Sequence, residues 1–392
     1  MTTKPSKRRR RRRRRTIRVQ WIAQPFLLGV LAGSIAVWAV YSFCPKPAAQ
    51  NSPTKLDPLR TAPQDYSWSE LPEAAFPLPP HAEFLSGVKI VLDPGHVGQR
   101  DPGKGWKRGP TGLREAEANL RVAQFLREFL AASGADVVLT READRSLNLP
   151  DDEDLKQRAE VANQEQADLL LSIHHNAADT PETNYTTIYY HGTSESNPAS
   201  ICAARYVLTG LDSALRLERH VGCPLRSDYL QYPSGGFAVL REAQVPAVLS
   251  EASFHSNPEE EARLRNPLYN RREAYGLFLG LARWAQAGLP RVALVRSDGG
   301  EVRAGRELTV ALDDGLSARG GLGAEQLRIR MDSVVAKIDG KPVRHTLDAG
   351  KRQLRVTVPA GLHGSCVLWV DFENIFGQHV LHPRMDIEVV KR

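Results

Sequence analysis

Val88-Lys89-Ile90-Val91-Leu92 is a short apolar run rich in β-branched residues, and Asp93-Pro94-Gly95 ends it abruptly. Such a run bounded by turn residues predicts a buried strand with His96 at its carboxyl end. The periodicity then changes. Leu120, Ala123, Leu126 and Leu130 recur at helical spacing, so Glu115 to Ser133 predicts an amphipathic helix with Gly134 as its cap. Strand and helix patterns alternate from there: a strand over Asp136 to Thr140, a helix over Leu155 to Gln166, and a strand over Ala167 to His174. A further strand over Ile188 to Tyr190 and a helix within Pro198 to Arg219 follow. A buried strand over Val245 to Glu251 and a closing helix over Pro267 to Ala287 complete the series. Alternation of this kind predicts an α/β fold, a mixed twisted sheet flanked by helices, for residues 87–289.

Beyond residue 289 the helical period disappears. Leu308 to Leu312, Leu327 to Met331, Val334 to Ile338, Leu354 to Val358, Val367 to Phe372 and Met385 to Val390 read as short strands. Turns such as Asp339-Gly340 separate them. The spacing predicts a C-terminal all-β, immunoglobulin-like sandwich over residues 290–392, in which no catalytic grouping is visible.

The N-terminal residues have neither pattern. Phe26 to Cys44 is nineteen uncharged, mostly apolar residues. As a helix they would span about 28 Å at 1.5 Å per residue, close to the thickness of a bilayer core. The first twenty residues hold eleven Lys or Arg and no acid. A basic head (residues 1–20) beside an apolar span (21–44) predicts a transmembrane signal-anchor with a cytoplasmic N-terminus, a cleaved signal peptide being the rival reading. The anchor would hold the rest of the chain at the cytoplasmic membrane, outside the cytoplasm. Nine prolines between residues 45 and 84 predict an extended linker over 45–86, with Trp68, Leu71 and Phe76 as candidates to dock its end.

Charge removes one function class. The head accounts for eleven of the 52 basic residues and leaves 41 against 45 acidic ones, so the net +7 does not describe the body of the chain. A nucleic-acid-binding body is therefore not expected. The four cysteines form no zinc-ligand pattern. Cys202 and Cys223 are candidates for a pair in an oxidising compartment, though no spacing rule requires it.

Three predicted strands end in His96, His174 and Glu251, and Glu115 begins a helix after the Gly98 to Gly112 loop. Two imidazoles with one carboxylate are a common zinc donor set, and a second carboxylate can move the proton of a water. His175 and Glu117 are rivals for neighbouring ligand positions. His191, His220 and His255 read as surface or loop residues, and His255, close to Glu251, is a candidate to line the cleft.

These residues lie in four ordered blocks: Leu92-Asp93-Pro94-Gly95-His96; Gly112-Leu113-Arg114-Glu115 with Asn119-Leu120; Ala167-Asp168 through Ser172-Ile173-His174 and Asn176; and Pro246 through Glu251 with Phe254, Ser256-Asn257 and Glu259-Glu260. Thr140-Arg141 and Leu155 with Arg158 fit between them. Together, over residues 87–288, they resemble the zinc-dependent N-acetylmuramoyl-L-alanine amidases of the amidase type 3 family, bacterial cell-wall hydrolases. The resemblance implies one Zn2+ per chain held by His96, Glu115 and His174, with Glu251 as general base. It implies peptidoglycan as substrate, cut between N-acetylmuramic acid and L-alanine, and a place in the cell envelope. A zinc peptidase on other peptide bonds and an inactive wall-binding regulator are the alternatives. No activator is identified. Val97, His175 and Ala252-Ser253 depart from the family's usual residues, and no long inserted helix separates His174 from Glu251.

Overall fold

In an extended strand successive side chains face opposite ways, so a continuous apolar run requires cover on both faces. The computed structural model, which describes residues 76–96, 107–144, 150–193, 197–295, 302–317 and 325–390, has that arrangement. The α/β part runs β1 (Lys89–Pro94), α1 (Glu115–Ala132), β2 (Asp136–Leu139), α2 (Asp151–Gln164), β3 (Leu169–Asn176) and β4 (Thr187–Tyr190). It continues with α3 (Pro198–Leu215), β5 (Leu225–Ser227), α4 (Ala238–Arg241), β6 (Ala247–Phe254), α5 (Pro258–Leu264) and α6 (Pro267–Gln286). Its six strands are ordered β2-β1-β3-β6-β4-β5. All neighbours are parallel except β4 against β6, so the sheet is mixed.

Ile90, Leu92, Leu169, Leu171 and Ile173 pack with α1, α3 and α6 on one face. Val91, Leu170 and Leu249 pack with Ala162 of α2 and with Val239 and Leu240 of α4 on the other. Helices α3 and α6 approach closely because glycines line the contact. A Cβ on Gly210 would come within 2.1 Å of the Gly276 carbonyl oxygen. The order of the strands brings the carboxyl ends of β1, β3 and β6 side by side, the usual place for ligands in open α/β sheets.

The expected fold needs correction at both ends. No helix among the described residues is long and apolar enough to cross a membrane. The physical reason is plain in α6, whose 20 residues include Arg271, Arg272, Glu273 and Arg283. The span predicted over Phe26–Cys44, like the basic head, lies outside the described residues. The transmembrane helix, and the membrane partner and anchoring that rested on it, are withdrawn.

The immunoglobulin-like sandwich is not carried over either. The C-terminal part has β7 (Arg291–Val295), β8 (Val302–Arg303), β9 (Glu307–Asp313), β10 (Val335–Ile338) and β11 (Lys341–Pro342). β12 (His345–Asp348), β13 (Gln353–Thr357), β14 (Gly364–Asp371) and β15 (Arg384–Val390) follow. They form a five-stranded sheet, β11-β10-β14-β15-β8, and a four-stranded sheet, β12-β13-β9-β7, around one apolar cluster. β8 pairs with β15 in parallel, whereas the other pairings of these two sheets are antiparallel.

The predicted linker also ends earlier than residue 86. Phe76 is buried against Phe129 and Tyr275, and Pro80–Leu85 is a 3₁₀ turn with Leu85 fully buried. The Tyr275 hydroxyl fixes this segment by donating to Pro77 O at 2.7 Å. Asp168, which sits in one of the family-like blocks, lies at the opposite end of β3 from the histidines. It accepts from the Lys89 amide at 3.1 Å and from Arg291 at 2.7 Å, and so joins the two parts of the chain.

Candidate metal centre and its cleft

His96 follows β1 in a turn that few side chains tolerate. Its φ is +62°, in the left-handed region. The preceding Gly95 has no room for a side chain, because a Cβ there would lie 2.2 Å from Cε1 of His174. His174 is on β3, opposite Glu251 of β6 in the strand register, and the pairing of those strands shifts between His174 and Asn176. Such irregularities re-aim side chains near sites. Glu115 is the first residue of α1, and the loop leading to it is held by Glu261 of α5. The Glu261 carboxylate accepts from the Thr111 amide at 2.7 Å and the Leu113 amide at 2.8 Å.

The three residues converge. Glu115 Oε2 lies 2.7 Å from His96 Nε2, and Glu115 Oε1 lies 3.1 Å from His174 Nδ1. The two imidazole rings meet edge to face at 4.8 Å between centroids. One donor atom from each of His96, Glu115 and His174 falls within 4.8 Å of the other two. Two imidazole nitrogens and one carboxylate oxygen fit a three-ligand zinc site with one position left open.

The electrostatics suit that use. Burial alone would raise the Glu115 pKa, but the adjoining His96 and His174 hold its carboxyl well below the ordinary range. Burial pushes the His96 imidazole down, toward the neutral form that binds metals. Glu251 behaves oppositely: burial, reinforced by the Glu115 charge, lifts its carboxyl well above the ordinary range. Its Oε2 is shielded from solvent and has no hydrogen-bond partner among the described residues. An orphaned buried carboxylate oxygen is costly in a purely structural setting.

The rivals separate cleanly. Glu117 points away and pairs with Arg121 at 2.7 Å. His175 faces the other side of β3. There it is 1 % exposed, with Nδ1 on Asn119 Oδ1 at 2.7 Å and Nε2 on Glu273 Oε2 at 3.0 Å. Burial opposes its protonation, but Glu273 outweighs this and raises its pKa. His255, read as a surface or loop residue, is also 1 % exposed, and its Nδ1 donates to His175 O at 2.9 Å. His220 is exposed, and His191 is partly exposed against Asp228. Cys202 and Cys223 are free, one buried and one exposed. Val97 lies outside the described residues.

The site opens into a cleft of about 430 Å³. The His96–Glu115–His174 group, Glu251 and Asn176 line it together with Leu155, Tyr189, Tyr232, Phe237 and Leu249. Sequence reasoning missed this aromatic lining. The Tyr232 and Tyr189 rings each meet Phe237 edge to face, at 5.2 and 5.3 Å. The segment is anchored by fully buried Asp228, which accepts from the amides of Gly192 and Phe237. Gly236, at φ +65°, leaves the room Asp228 needs. Glu273 was also missed. The available signal was an acid among Tyr269, Tyr275, Leu277 and Phe278 on the inward surface of α6.

Comparison with known proteins adds the family. A family profile described as N-acetylmuramoyl-L-alanine amidase (Amidase_3) matches residues 90–283. The germination-specific N-acetylmuramoyl-L-alanine amidase of Bacillus subtilis is 31 % identical over 209 residues, which are 51 % of this chain and 81 % of that protein. The amidase LytC of the same organism is 30 % identical, over 50 % of this chain and 35 % of its own length. The probable cell wall amidase LytH of Staphylococcus epidermidis is 30 % identical, over 47 % of this chain and 54 % of its own length. Among solved structures, the amidase AmiC2 of Nostoc punctiforme aligns with TM-score 0.43 at 26 % identity, covering 51 % of this chain and 99 % of that one. On the profile and the germination-specific relative, this chain belongs to the N-acetylmuramoyl-L-alanine amidase family.

Proposed function

We propose that this chain is a cell-wall hydrolase that cuts the amide between N-acetylmuramic acid and L-alanine in peptidoglycan. The observation that carries the reading is the placement of a solvent-shielded, unpartnered Glu251 oxygen beside the converged His96, Glu115 and His174. Those three residues would hold one Zn2+. Bound zinc supplies a Lewis acid for the scissile carbonyl and lowers the pKa of water toward about 7. Glu251 takes the proton from the attacking water. The same carboxyl then passes that proton to the leaving nitrogen as the C–N bond breaks, giving a lactyl carboxylate and a free L-alanine amine. Its raised pKa lets it hold the proton between the two steps. Tyr189, Tyr232 and Phe237 give the cleft an apolar part of its lining that a substrate would cover. A polymer substrate in the wall puts the enzyme in the cell envelope. We further take residues 87–289 as the catalytic domain and 290–392 as a second domain, supported by two apolar clusters that follow this division except that Phe76, Ala82, Leu85 and Leu381 pack in the first.

Glu251→Gln tests the reading. The variant keeps the shape of the side chain and should keep its zinc and its melting temperature. Its rate on purified peptidoglycan should fall about 10²- to 10⁴-fold, the usual loss for a positioned base. Labelling of the wild-type products should reveal new L-alanine amino termini. New termini at other residues would make it a peptidase, and a variant of near-normal rate would remove Glu251 from the chemistry.

A further inference from the structure

Every carbonyl of the turn Pro94-Gly95-His96 accepts a hydrogen bond from a buried arginine. Arg141 donates from Nε to Pro94 O at 2.9 Å and from Nη2 to Gly95 O at 3.0 Å. Arg158 donates from Nη1 to Pro94 O at 3.0 Å and from Nη2 to His96 O at 2.9 Å. The turn needs such support, because a non-glycine residue in the left-handed region is strained and persists only where its surroundings fix it.

The two guanidiniums have different second attachments. Arg158 is also held by Asp93 at 2.8 Å and by Asp154 at 2.7 Å, so it ties the turn to β1 and α2. Arg141 Nη2 reaches Ala116 O at 2.6 Å, in the first turn of α1 beside Glu115. Arg141 is 6 % exposed, and its hydrogen bonds to described residues all end on main-chain carbonyls. Burial, with Arg158 nearby, pulls its pKa down to about 10. Asp93, Asp144 and Asp154 act on its charge without a hydrogen bond among the described residues, and burying a guanidinium whose direct bonds all end on carbonyls is a costly way to fill space. What it achieves is a bridge between the segments that carry two of the three converging donors.

The geometry points to Arg141 and Arg158 as positioning residues that fix the His96 turn against the Glu115 helix and thereby set metal affinity. The inference rests on the zinc reading above. Lysine keeps the charge but lacks the planar fork that serves several carbonyls at once.

The test uses the full chain, stripped of metal, as wild type, Arg141→Lys, Arg158→Lys and Arg121→Lys. Arg121 is the control: it is partly buried and donates to a main-chain carbonyl, Leu264 O, at 2.8 Å, away from the converging donors. Zinc affinity is read by chelator competition, site geometry by the visible bands of added Co2+, and fold stability by metal-free melting. Arg141→Lys should bind zinc about 10- to 100-fold more weakly, as losses of supporting contacts around ligands do. Its Co2+ bands should shift, and Arg121→Lys should match wild type in both. Wild-type zinc affinity and Co2+ bands in Arg141→Lys would overturn the inference. So would equal affinity losses in Arg141→Lys and Arg121→Lys at equal melting temperature. If Arg141→Lys does not fold, Arg158→Lys decides by the same two readouts. A wild type that takes up no zinc would overturn the metal reading and this inference with it.

Discussion

Strand β3 carries two consecutive histidines with opposite fates. His174 faces the cleft, beside Glu115, His96 and Glu251. His175 faces the helices, between Asn119 and Glu273. Both groups join imidazole to carboxylate, and each keeps one shielded carboxylate oxygen without a described partner, Glu273 Oε1 in one and Glu251 Oε2 in the other. They differ in access, because Glu251 lines the cleft and Glu273 does not. On the sealed side each ring nitrogen of His175 has a partner, and Asn119 spends its amide on Gly95 O and Glu115 Oε1. On the cleft side His96, Glu115, His174 and Glu251 all line the open cavity. The sealed group stabilises the fold, and the open group is left able to take a ligand and a proton. A buried polar network closed off by helices rigidifies a core, whereas perturbed groups that reach a cleft are the ones placed to do chemistry.

The sharpest way to break this contrast is to delete each imidazole in turn. His174→Ala should lose most of its zinc and at least as much rate as Glu251→Gln, with little change in metal-free stability. His175→Ala should do the reverse. It leaves the Glu273 carboxylate buried without its cation, which typically costs about 3–5 kcal/mol. The contact from the backbone amide of residue 175 to Glu115 does not depend on the imidazole, so zinc binding should persist wherever the variant is folded. Metal analysis and melting of both variants check this. Zinc lost from His175→Ala at unchanged stability would reverse the two assignments.

A milder change should act on the cleft side alone. Gly95→Ala adds one methyl where 2.2 Å separates it from the His174 ring, so the ring must move. Zinc affinity should fall by at least about 10-fold, since ligand orientation is what such contacts protect. Hydrogen exchange at His175 and in α6 should stay at wild-type protection. Equal loosening on both sides of β3 would show that the two groups are not independent.

How much of this contrast was legible in the chain follows from the range of the interactions. His96, Glu115, His174 and Glu251 stand out because each sits where a hydrophobic period starts or stops, a local signal. The fate of His175 was not legible, because Glu273 is 98 residues away in sequence and enters from a helix whose surface pattern is mostly apolar. The burial of His255 was missed for the same reason, since its partner carbonyl is 80 residues distant, while its place in the cleft lining followed from its nearness to Glu251. The Pro80–Leu85 turn resembles linker by composition, although Phe76 beside it stands out as a candidate to dock. Only α1 and α6 together supply the surface that buries them. Sheet order and the parallel β8–β15 pair depend on long-range pairing that no local period encodes.

The last expected effect, on fold stability and without metal, separates the support of the cleft from both groups, through pH. Asp93 is almost fully buried beneath the His96 turn. Burial would raise its pKa, but Arg158, with hydroxyl hydrogen bonds from Ser172 and Thr140 at 2.6 Å each, brings it down from 3.8 to about 2. A carboxyl whose folded pKa lies below its unfolded value binds fewer protons when folded. Its contribution is therefore complete above the unfolded value, near pH 4, and is lost as pH falls through about 2. A depression of this size corresponds to roughly 2.5 kcal/mol. Denaturant unfolding of the metal-free wild type between pH 6 and pH 2, read against Asp93→Asn, measures the term directly. Asp93→Asn should be less stable near pH 6, because Arg158 loses one of its two buried carboxylate partners. The gap between the two proteins should close as pH falls from about 4 toward 2. A gap independent of pH would mean that Asp93 titrates normally, and that the ion pair under the His96 turn contributes little to holding it.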